Sequence, residues 1–172
     1  MGPVTTPAPV KTTSLLPAIL VGGGVAGTFD LISAFATFGF NMPRGIAAGL
    51  IGRQAVQSGG AAFTWTLGVF LHYFIAFSAA AVYCFASRKL PFLKENFVVC
   101  GLFYGMGFYL VMNLIVLPLC ALHLAGPYQL RGLLIGLLFH MFLIALPISL
   151  SLRMLSGDKG TLYDPANLPL QP

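Results

Sequence analysis

Residues 61–87, AAFTWTLGVFLHYFIAFSAAAVYCFAS, contain no Asp, Glu, Lys or Arg, and one strongly polar residue, His72, stands near their centre. A bilayer crossing takes roughly 20 apolar residues, so this stretch predicts a transmembrane helix. Segments 16–40, 97–122 and 128–155 repeat the pattern, with Asp30, Asn113 and His140 near their middles. Composition agrees: 58% of residues are hydrophobic and 8% charged, with a mean hydropathy of +0.89, against about 25% charged in soluble domains. The expected fold is all-α: an integral membrane protein whose residues 14–156 form one antiparallel up-and-down bundle of four transmembrane helices.

The remaining pieces are short. Residues 1–13, rich in Pro and Thr, and the tail 157–172 have no hydrophobic periodicity and read as disordered. Ala34-Phe35-Ala36 resembles a signal-peptide cleavage site, but the apolar run before it is too long and only Lys11 is basic, so the helix is expected to be retained. Gly2 and Thr6 fit the loose myristoylation pattern, which Pro3 and the polytopic character oppose.

Basic residues orient the chain. With four crossings, Lys11, Arg88, Lys89, Lys94, Arg153 and Lys159 share one side, and Arg44, Arg53 and Arg131 the other. The positive-inside rule places both termini in the cytoplasm, and the net charge of +5 reads as attraction to anionic membrane lipids. Nucleic acid is excluded as a partner, since no basic run is interleaved with aromatics.

The connection 41–60 predicts a short interfacial helix over about 43–57, with Asn41 as N-cap and Pro43 in its first turn. Ile46, Leu50 and Ile51 form its apolar side, and Gly45, Gly49 and Gly52 a small-residue face. It could lie in the outer interface or dip into the bundle mouth. Arg44 and Arg53 then hold headgroup phosphates or gate an anionic ligand. The links around 90–96 and 123–127 are short, which makes the helices they join antiparallel neighbours.

The four polar residues fall about nine to twelve residues from the outer ends of their spans. At a rise of ~1.5 Å per residue this is roughly 14 to 18 Å deep, one layer near the midplane. Helical spacing also aligns each with small residues: Gly23, Gly27, Asp30 and Ala34; Thr64, Gly68, His72, Ala76, Ala79 and Tyr83; Gly101, Gly105, Tyr109 and Asn113; Gly132, Gly136 and His140, continuing to Pro147. Small residues mark close helix contacts in membranes, so Asp30, His72, Asn113, His140 and Tyr109 are expected to face the bundle interior.

Polar residues inside a membrane are costly and mark function by default. The layer could be a hydrogen-bonded network that sets helix register, a site for protons or a small polar ligand, or a metal site built on His72, His140 and Asp30. His72 and His140, on parallel helices, could also be axial ligands of a haem. The sequence itself calls for no cofactor. Catalysis is disfavoured: there is no acidic pair, HExxH or glycine-rich phosphate loop, and His123 reads as interfacial. Cys84, Cys100 and Cys120 read as small buried hydrophobes; Cys84 and Cys100, toward the cytoplasmic ends of adjacent helices, permit a redox pair, which a reducing compartment and the absence of CxxC argue against. Self-association and service as a structural subunit of a larger membrane complex remain open.

The runs His72-Tyr73-Phe74, Phe77-Ser78, Val82-Tyr83-Cys84, Leu90-Pro91, Lys94, Gly101-Leu102, Gly105 and Leu117-Pro118-Leu119 resemble the corresponding stretch of YagU-like bacterial inner-membrane proteins. Gly23 to Gly27, Pro43-Arg44 and the glycine-to-histidine run of the last helix are similar too. The resemblance covers about half the chain and implies a bacterial inner-membrane four-helix protein of no settled activity. Asp30 and Asn113 are not matched to its pattern and rest on the reading of the residues alone.

Overall fold

The computed structural model describes residues 14–124 and 129–156; the segments 1–13 and 157–172, with Lys11, Lys159, Gly2 and Thr6, lie outside them. Among the described residues there is no strand. Four helices are long and apolar enough to cross a membrane: α1 (Leu16–Phe38), α4 (Ala61–Ala86), α6 (Phe97–Leu119) and α7 (Leu130–Leu155). Short helices α2 (Met42–Ile51), α3 (Arg53–Ser58) and α5 (Phe92–Glu95) occupy the links. The chain is thus an all-α multi-pass membrane protein, and the span limits differ from expectation by a few residues. Gly39, at φ 78°, stops α1. Cys120 turns extended, which stops α6 before residue 122.

Large apolar side chains such as Leu20, Ile32, Phe70, Phe103, Leu114 and Leu138 are exposed. They form the lipid-facing surface of a protein whose backbone bonds are satisfied within its helices. Inside, small residues carry the contacts, because lipid supplies no hydrophobic drive between helices and close packing must. Gly22 meets Ile148 and Ser151 of α7, Gly27 meets Tyr73 and Ala76 of α4, and Gly105 meets the backbone of His140 and Met141. The predicted stripe on α4 is buried from Thr64 through Gly68, His72, Ala76 and Ala79 to Tyr83.

The helices pack in the order α4, α1, α7, α6. The helices α4 and α6, joined by the short 87–96 link, meet chiefly near that link. There the Tyr83 and Tyr104 rings are 5.0 Å apart and the Tyr104 hydroxyl donates to the Ala79 carbonyl at 2.8 Å. Around them Tyr83, Cys84, Ile148 and Leu152 form a fully buried plug. Toward the opposite, distal end α4 and α6 diverge, and α2 fills the mouth between them.

The fold does not leave α2 apart from the bundle. A Cβ at Gly68 would fall inside the van der Waals envelope of the Pro43 backbone, so α2 touches α4 where only glycine permits it. On its other side the Gly49 carbonyl accepts the Ala121 amide at 2.8 Å. Nor is 43–57 one helix: Gly52, at φ 85°, separates α2 from α3. Asn41 holds the N-cap position, but its side chain makes no capping bond.

Both α6 and α7 widen into a π-helical turn, over Met112–Val116 and His140–Ala145. Each turn precedes a proline, Pro118 or Pro147. Proline lacks an amide proton and its ring crowds the carbonyl four residues back, and a wider turn relieves that crowding.

Candidate functional site

The turns and helices above enclose a cavity of about 850 Å³. It runs from Ala26, Ala76 and Ile144 near the middle of the bundle to Phe38, Leu124 and Gln129 at the distal end, with α2 contributing Met42, Gly45, Ile46 and Gly49. All five residues of the expected layer, Asp30, His72, Tyr109, Asn113 and His140, line it. The depth argument therefore brought together residues from all four spans.

Several of their bonds are to nearby backbone carbonyls. On α1 and α4, His72 Nε2 lies 2.8 Å from the Gly27 carbonyl oxygen. A carbonyl only accepts, so Nε2 carries the proton and donates. The other ring nitrogen, Nδ1, faces Asp30 Oδ2 at 3.9 Å. The imidazole is buried and the carboxylate half-buried. With Nε2 protonated, neutral His72 turns the Nδ1 lone pair toward an ionised carboxylate; both are acceptors, and the facing becomes favourable once a proton sits on either of them.

On α7, His140 Nδ1 donates to the Gly136 carbonyl at 2.8 Å, so the two histidines carry their protons on opposite nitrogens. Its ring is edge-on to Tyr109, with centroids 5.0 Å apart. On α6, Asn113 Nδ2 donates to the Tyr109 carbonyl at 2.9 Å. In both cases a side chain bonds the carbonyl four residues back, where the ladder passes from α to π, so His140 and Asn113 help to stabilise those turns.

The remaining candidates divide. Arg44 Nε donates to Thr64 Oγ1 at 3.1 Å and its Nη2 to the Val56 carbonyl at 3.1 Å, tying α2 to α3 and α4. Neither Arg44 nor exposed Arg53 lines the cavity, which does not fit a gate for an anion. Among the described residues no three of His, Cys, Asp and Glu converge closely enough to hold a metal ion, so the set His72, His140 and Asp30 does not form a metal site. Paired haem ligation fails on His72, whose Nε2 is engaged by Gly27. Cys84, Cys100 and Cys120 are free thiols. His123 is exposed in a turn, its Nδ1 donating to the Pro118 carbonyl at 3.2 Å. Gly132, expected at a helix contact, has open space where a Cβ would stand and instead lines the cavity.

Sequence reasoning missed several wall residues: Ser33, Thr37, Phe108, Met112 and Phe139. Ser33 and Thr37 stand three and seven positions after Asp30, on its helix face, so a signal for them was present. Comparison with known protein families, with curated proteins and with solved structures finds no match to this chain.

Proposed function

We propose that this is a non-enzymatic membrane protein that takes up and releases one proton at the Asp30–His72 pair, inside a cavity that admits a small amphipathic ligand from the distal side. The observation that carries the proposal is the orientation of His72: Nε2 is tied to Gly27 and Nδ1 is aimed at Asp30. A buried plug beneath the cavity, formed by Tyr83, Ile148 and Leu152, favours exchange with one side of the membrane over an open channel. Membership of the YagU-like family and residence in a bacterial inner membrane belong to the same proposal and rest on the residues that carry the resemblance. Cytoplasmic termini rest on the bias of basic residues. Assembly with further copies or into a larger complex is compatible with this reading and is not needed for it.

The test is proton counting. The full chain in nanodiscs is taken through a pH jump in weakly buffered solution, with a dye reporting protons bound. The proposal predicts that Asp30→Asn, compared with the wild type, binds one proton fewer per chain over the jump. Equal uptake by the two proteins rejects it.

A further inference from the structure

Resting on that reading of Asp30 and His72, we infer that the cavity's ligand is a lipophilic organic cation, bound at Asp30 in exchange for the proton. The lining decides the sign of the charge. Among the described residues it includes one carboxylate, Asp30, and two histidines, but no Lys, Arg or Glu. Arg44, on α2, is turned to Thr64 and Val56. An anion would therefore enter a low-dielectric site beside a carboxylate with no fixed positive charge to meet it, whereas a cation would find its counter-charge.

The walls decide the rest of the chemistry. Phe74, Phe108, Tyr109 and Phe139 line the cavity, and aromatic faces attract cations, most strongly where water is excluded. The volume of about 850 Å³ falls in the range of roughly 300–1,000 Å³ typical of sites for drug-sized ligands. A small, strongly hydrated inorganic ion fits this surface poorly, because most of the side chains that line it are apolar.

Exchange follows from the pair. Among the described residues, the titratable groups that share the cavity with Asp30 are His72 on α4, Tyr109 on α6, Cys120 just after α6 and His140 on α7; α2 contributes none. With a proton between Asp30 and His72 the carboxylate's charge is compensated and the site does not call for a cation. When the cation arrives, that proton leaves to distal water and the ligand's charge takes its place. Binding therefore weakens as pH falls, by up to about tenfold per pH unit where one proton is exchanged for one cation.

The experiment uses the full chain in detergent micelles, with tetraphenylphosphonium as probe and tetraphenylborate, of the same shape and opposite charge, as comparison. Equilibrium dialysis gives affinity at several pH values, corrected for empty micelles, and a pH dye gives protons released. Expected are saturable binding of the cation that tightens with pH, release of about one proton per cation, and no saturable binding of the borate. Asp30→Glu should retain binding and Asp30→Asn should lose it by at least tenfold. Equal binding of both ions, cation affinity independent of pH, or no cation binding by wild type that still takes up its proton in a pH jump overturns the inference. The last result leaves the proton pair standing, whereas absence of that proton uptake removes the reading beneath it.

Discussion

His72 is held between two partners on α1: its Nε2 donates to the Gly27 carbonyl at 2.8 Å, and its Nδ1 faces Asp30 Oδ2 at 3.9 Å. Gly27 makes this possible, since a Cβ there would stand about 3.0 Å from the Tyr73 ring and push α1 away from α4. One small residue thus sets both the helix contact and the histidine's tautomer.

The tautomers are directly observable. In protein labelled with ¹⁵N histidine, at a pH where the rings are neutral, His72 should show the proton on Nε2 and His140 the proton on Nδ1, with assignments from His72→Gln and His140→Gln. Matching tautomers for the two residues would contradict the bonding described.

Gly68 and Gly132 form a matched test of packing. Gly68→Ala drives a methyl group into the Pro43 backbone, and overpacking of this kind costs about 1–3 kcal/mol; Tm in detergent should fall. Gly132→Ala meets nothing within 4 Å and should leave Tm unchanged or raise it, because alanine favours a helix over glycine by up to about 1 kcal/mol.

Arg44 should act as a clamp. Arg44→Ala removes bonds to Thr64 and Val56, and hydrogen bonds to charged groups contribute about 1.5–3 kcal/mol, so the α2–α3 segment should lose amide-exchange protection. Arg44→Lys should restore little, because an ammonium cannot span two acceptors as the guanidinium fork does. Arg53→Ala, at an exposed position, should leave protection unchanged.

The spans and the polar layer were legible because membrane helices have one length scale and one rise per residue, so counting from the ends of a hydropathy pattern gives depth. Spacing found the buried faces at Gly23, Gly27, Gly101 and Gly105 for the same reason. At Gly132 it found the face, shared with Gly136 and His140 on the cavity wall, but not that no neighbouring helix stands within 4 Å there. Pro118 and Pro147 were visible signs of the π-helical turns. The wedge of α2 against Gly68 was not visible, since the sequence of a link does not say how deeply it enters a gap between helices. Nor could spacing tell that Asn113 and His140 bond their own helices while His72 reaches across to α1: that depends on side-chain direction.

The most direct test of the account is infrared difference spectroscopy of the full chain titrated with pH, read at the carboxylic-acid C=O stretch. The account predicts a band that appears or vanishes with pH, is absent in Asp30→Asn and titrates at a different midpoint in His72→Gln. A band unmoved by His72→Gln, or no carboxyl band lost in Asp30→Asn, would contradict the shared proton on which the proposed function depends.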